Sequence, residues 1–237
     1  MFNVTLAAYT VTALLLLTAP AVAQVRHYPL EAVDGLVLHN VSAEPATFQG
    51  RKGLKLTLSA DTRRKLESMT PEARNQTRIE QLARIKDVEF SNGVIELEVA
   101  GAPAPDAPEG ARGFVGVAFR VRPDAETFDA FYLRPTNGRA DDQERRNRST
   151  QYISHPDWPW FRLRKETPAK YESYVDLVPG EWTRIKVEVR GSVARLYVHG
   201  SEQPTLIVND VKSGPTAIGG ICLLIDVGSV AHFRNLT

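Results

Sequence analysis

Residues 183–200 read TRIKVEVRGSVARLYVHG. Thr183, Ile185, Val187 and Val189 alternate with Arg184, Lys186 and Glu188, so an extended backbone would carry one apolar and one charged side. A two-residue period belongs to a β-strand, whose successive side chains leave opposite faces of the pleat. Gly191-Ser192 then supplies a two-residue turn, and ARLYVHG returns as the second arm of a hairpin.

The same period recurs outward from this hairpin. Leu54, Leu56 and Leu58 alternate with Lys55 and Thr57, and Ile95, Leu97 and Val99 with Glu96 and Glu98. Val115, Val117, Phe119 and Val121 alternate across FVGVAFRV, and FDAFYLR, LIVND, GGICLLIDV and VAHFRNL complete the set. The fold class this implies is all-β, an antiparallel two-sheet β-sandwich whose last strand returns beside the first. Residues 61–85 break the rhythm and predict one or two short helices. Thr70-Pro71-Glu72 has the order of an N-cap, a proline at the first helical position and an early acid. The Pro-rich run GAPAPDAPEGARG at 101–113 reads as a connector between strands.

The chain has 237 residues. Its first 23 contain an apolar run from Val11 to Leu17, then Ala21-Val22-Ala23, an A-x-A-like pattern for cleavage before Gln24. The expectation is a signal peptide at 1–23, one domain at 24–237, and an exported protein that is periplasmic or extracellular. The apolar run is shorter than the ~20 residues of a membrane-spanning helix, so no membrane partner is expected once it is removed. A formal net charge of +1 gives no basis for nucleic-acid binding. Cys222 is the single cysteine, among aliphatic neighbours, and reads as an inert buried thiol.

Residues 132–166, YLRPTNGRADDQERRNRSTQYISHPDWPWFRLRKE, concentrate charge, amide, imidazole and indole groups with few aliphatics. A polar segment of this length with several large aromatic groups predicts an ordered binding surface. Arg134, Asn137, Arg139 and Asp141 suit hydroxyls and carboxylates. Gln151 joins this ligand-binding set as a further amide. Trp158 and Trp160, flanking Pro159, with Tyr152 and Tyr171 nearby, suit sugar-ring stacking. The same residues also read as a turn, surface ion pairs and packed aromatics, with one indole buried and one available.

Three elements carry a family resemblance: NGVIELEVAG; GFVGVAFRV with FDAFYLR; and PGEWTRIKVEVRGSVARLYVHG with GGICLLIDVGSVAHFRNL. They resemble the concanavalin A-like jelly rolls, among them the laminin-G-like domains and the 3-keto-disaccharide hydrolase-like domain. Matching positions are Glu181-Trp182, Tyr197 to Gly200 and Phe233 to Leu236, with His199 standing where asparagine is usual. The resemblance implies a jelly-roll scaffold and a carbohydrate partner, engaged through residues 132–172. The E-x-D-x-x-E strand of laminarinase-type members is missing, and Glu96 and Glu98 read as the polar side of a half-buried strand. If the chain is a hydrolase or lyase, Asp142, His155 and Glu172 are the catalytic candidates. Otherwise it is a carbohydrate-binding module or a structural domain. No cofactor is required by this reading, and calcium is the ion that Asp141 and Asp142 would suit.

Overall fold

The computed structural model describes residues 25–70, 72–73, 77 and 79–237. The expected signal peptide and most of the second expected helix lie outside the described residues. Among the described residues, fourteen strands form two seven-stranded antiparallel sheets packed as a sandwich.

The first sheet runs in the order β1 (Leu36–His39), β4 (Gln81–Ile85), β13 (Gly220–Ile225), β6 (Val115–Val121), β7 (Phe128–Leu133), β8 (Thr150–His155) and β9 (Glu172–Ser173). The second runs β12 (Leu206–Val208), β11 (Val193–Val198), β10 (Thr183–Arg190), β5 (Gly93–Pro103), β14 (Ser229–Arg234), β3 (Arg51–Leu58) and β2 (Val41–Phe48). The hairpin read from sequence is β10–β11, with Arg190 opposite Val193 across a two-residue turn. Gly191 takes φ +58° there, a left-handed angle that glycine adopts without steric cost. The C-terminal strand β14 lies between β3 and β5, and so returns beside residues 54–58, the first alternating strand read from the sequence.

The apolar positions of β3, β5, β10, β11 and β14 meet the row Ala83, Leu223, Val117, Phe131 and Tyr152 of the first sheet in one buried core. Removing this much apolar surface from water is the main stabilising term, at roughly 25 cal/mol per Å². Glu96 and Glu98 remain on the outer face of the second sheet, paired with Arg184 and with Arg51 and Arg234.

Helix α1 (Ala60–Glu67) starts at Ser59, whose side chain accepts the Thr62 backbone N–H. Thr70 accepts the Ala73 N–H as the sequence predicts for a cap, and Glu72 and Ala73 are helical. Segment 132–166 is not one long loop. It holds a 3₁₀ turn (Pro135–Asn137), α2 (Gln143–Arg146), strand β8 and α3 (Trp160–Glu166). Arg120, 1% exposed, sits at a left-handed φ of +55° within a bulge of β6, where Phe119 and Arg120 face the single residue Ile221 of β13. Its guanidinium donates to Ser91 O, Gly191 O, Gly214 O and Ser213 Oγ, joining three loops at one end of the sandwich.

Candidate functional site

Residues paired across a ladder share a face of the sheet. Leu82, Leu224, Gly116, Tyr132, Gln151 and Glu172 therefore form one row across six strands, on the face turned away from the second sheet. Ile153 and His155 continue that face along β8. Over it lie α1, Thr77, Ile79 and Glu80 ahead of β4, and α3, leaving a groove of about 370 Å³. Tyr132, Ile153 and Leu224 line its floor, and Phe114, Trp160 and Phe161 line its wall. Glu80, His155 and Asp226 supply its polar groups.

Two of these aromatics face water because α3 begins on the groove. Trp160, its first residue, is 40% exposed, and Phe161 is 53% exposed, edge-on to it at 5.8 Å. Phe114 stacks on Tyr132 at 4.8 Å, and the Arg134 guanidinium lies 5.2 Å from the Tyr132 ring and 6.0 Å from the Trp160 ring. The Arg164 guanidinium lies 4.6 Å from Trp160. Burial pushes the Tyr132 hydroxyl up to about 12, so it stays protonated and accepts from Arg134 Nη2 at 3.2 Å. At the other end His155 Nδ1 is 3.0 Å from Glu80 Oε1, and its ring stacks on Phe128 at 4.9 Å.

No protein-family model matches this sequence, and no curated protein matches it. In backbone shape the chain is similar to the carbohydrate-binding module CBM66 from Bacillus subtilis, with TM-score 0.51 and 11% identity, covering 84% of this chain and 95% of that one. The fold is a concanavalin A-like jelly roll. It is also similar to a Bacillus subtilis protein of unknown function with a galectin-like fold (TM-score 0.46, 14% identity, 89% and 93% covered). The galectin LEC-6 of Caenorhabditis elegans is a further likeness (TM-score 0.41, 11% identity, 68% and 92% covered). At these identities the likeness is one of fold.

Within this jelly roll several residues expected on the ligand surface are internal. Tyr152 is fully buried, with its hydroxyl donating to Asp129 Oδ1 at 2.6 Å and accepting from Lys212 N at 2.8 Å. Tyr171, 2% exposed, donates to Asp210 at 2.7 Å. Gln151 is also fully buried, donating to the carbonyls of Tyr152 and Tyr171 and accepting from Arg134. Asn137, 3% exposed, donates to Arg148 O and accepts from Arg145 Nε. Gln151 and Tyr152 stand on β8, an interior strand between β7 and β9, and all four buried groups have hydrogen-bond partners within the protein.

The catalytic candidates are not brought together. His155 lines the aromatic groove and Asp142 a neighbouring basic pocket, while the Glu172 side chain, 6% exposed, is buried beneath arginines. Asp142 caps α2, accepting the Arg145 N–H at 2.7 Å. Arg139 forks onto Asp176 with two 2.8 Å bonds on the exposed surface, and Asp141 is exposed on α2's approach. Among the described residues no three acids, histidines or cysteines gather in a metal-holding cluster. Trp158 is half-buried against the core, with Arg162 4.0 Å and Lys212 4.5 Å from its ring. Trp182 immediately precedes β10 and donates to Phe48 O, outside the groove. Burial pushes the Cys222 thiol up to about 12, which keeps it unreactive.

Phe114, Glu80, Phe161 and Asp226 were not singled out from sequence. Asp226 had a readable signal, as a lone acid ending the apolar run GICLLI. Burial raises its carboxyl to about 6, with Glu80 adding to the rise and Arg134 opposing it. Between 3.8 and about 6 the folded chain keeps a proton that the unfolded chain has released, so stability falls as pH rises through this window. Asp226→Asn removes the titration. It should stabilise the protein by about 2–3 kcal/mol above pH 6 and change little at pH 3.5, as read by denaturant unfolding at both pH values.

Proposed function

We propose that the chain, exported and freed of residues 1–23, binds a carbohydrate in the groove on the outer face of its first sheet. The observation carrying this reading is one cleft that combines exposed Trp160 and Phe161 with Glu80, His155 and Asp226. Aromatic faces pack against the C–H faces of pyranose rings, and carboxylates and imidazole meet the hydroxyls at the ring edge. The jelly-roll scaffold shared with a carbohydrate-binding module supports the same reading.

Trp160→Ala tests it. The indole is exposed, so its loss leaves the fold intact, and it should weaken glycan affinity about tenfold or more. Titration calorimetry over a panel of oligosaccharides measures this. An unchanged affinity, or no glycan bound at all, removes the groove as the binding site. A second reading, a hydrolase or lyase, is favoured by Asp226, which holds its proton to about pH 6 in the same groove as Glu80 and His155. Mass spectrometry of the bound sugars separates the two, since a binding module returns them intact.

A further inference from the structure

Next to the aromatic groove lies a pocket of about 520 Å³, which shares Phe114, Trp160 and Asp226 with it. Its wall carries Arg112, Arg134, Arg145, Arg148 and Arg164. Three of them converge on one carboxylate. Glu172 pairs with Arg134 Nη1 at 3.2 Å, with Arg148 Nε at 3.7 Å and with Arg164, whose Nε donates at 3.1 Å. Arg148 also pairs with Glu144.

The other two have no carboxylate. Arg145 donates to Asn137 Oδ1 at 2.9 Å and to Thr136 Oγ1 at 3.0 Å, both neutral acceptors. Arg112 is half-buried, and its guanidinium makes no hydrogen bond or ion pair among the described residues. Partial burial, then Arg145 and Arg134, hold its pKa below the ordinary arginine range, so the charges that act on it are themselves positive. Asp142 and Asp226 complete the lining, but Asp142 caps α2 and neither forms an ion pair with Arg112. Five guanidiniums thus face four carboxylates, and of the two without a carboxylate Arg112 is the one whose guanidinium also has no neutral acceptor among the described residues.

A guanidinium held partly out of water beside two others is unfavourable until an anion joins it. Its planar fork matches carboxylate and sulfate oxygens. We propose that this pocket receives the anionic substituent of an acidic glycan, a uronate carboxylate or a sulfate ester, with Arg112 as its contact and Trp160 stacking on the ring that bears it. This deepens the glycan reading and rests on it. The neutral part of the sugar would lie along the aromatic groove, because Trp160 belongs to both cavities.

The test is titration of the wild type, Arg112→Ala and Trp160→Ala with matched panels of neutral, uronate-bearing and sulfated oligosaccharides, and with sodium sulfate. Arg112→Ala should melt like the wild type, since its side chain holds nothing in place. The expected result is that an acidic panel binds on the order of tenfold tighter than the neutral one. That advantage should vanish in Arg112→Ala and shrink with added salt. Trp160→Ala should weaken every sugar. The uronate and sulfated panels distinguish the two anion sources. Equal binding of neutral and acidic sugars, indifferent to Arg112, overturns the charge assignment and leaves the glycan reading standing. Sulfate binding without any sugar binding overturns both, as does the absence of any binding.

Discussion

Glu172→Gln is expected to destabilise the protein by about 3–5 kcal/mol. The substitution keeps the shape of the side chain and removes its charge. Glu172 and Arg134 have side chains only 6% and 5% exposed, and Arg148 and Arg164 reach the same carboxylate. Without the anion, the Arg134 guanidinium stays buried with only neutral acceptors, namely Tyr132 Oη, Gln151 Oε1 and Arg148 O. An uncompensated buried charge is far more costly than the net worth of the pair it came from. The shift in denaturant midpoint at neutral pH measures the effect. A catalytic Glu172 would behave differently, losing turnover in Glu172→Gln with the midpoint unchanged. Because Arg134 and Arg164 also line the basic pocket and lose their carboxylate in Glu172→Gln, its anion affinity should rise while stability falls.

Arg120→Met should cost a similar amount, about 3–5 kcal/mol, and lower the melting temperature by about 10 °C or more. Methionine fills much of the volume but donates nothing. Three carbonyls, those of Ser91, Gly191 and Gly214, would lose their partner in a site that is 1% exposed. Burial lowers the Arg120 pKa and the charge of Asp129 opposes that shift, so Asp129 would also lose a compensating cation. Arg120→Lys is the informative control. It keeps the charge but not the planar fork that spans three loops, so most of the loss should persist. Thermal unfolding of the two variants beside the wild type decides this, and recovery in Arg120→Lys would assign the effect to charge instead of to bridging.

The strands were legible because each half-buried strand advertises its two faces, as Ile185, Val187 and Val189 do against Lys186 and Glu188. β8 carried no such signal. Its Thr150, Gln151 and Ser154 look like surface residues, yet they are buried. A period of two cannot show that a polar group has a polar partner 20 residues away, as Gln151 has in Tyr171 O. The candidate site was legible only in part for the same reason. Trp160 and Arg134 could be picked out by residue type. Phe114 looked like one more strand residue, and Glu80 like one more acid in a charged stretch. Their meeting with Asp226 depends on β13 lying between β4 and β6, a long-range pairing that no local pattern encodes.

The strand order also bears on how this molecule meets other chains. Among the described residues, the borders of the first sheet are β1, of four residues, and β9, of two. In the second sheet β12 has three residues, and β2, the one long border, carries Pro45, which has no N–H, and Glu44, paired to Lys55. Such margins give an incoming strand little ladder to extend, a safeguard against edge-to-edge aggregation. A concentrated solution of the folded protein can therefore keep its sheets to itself while its open groove stays free for small, soluble guests.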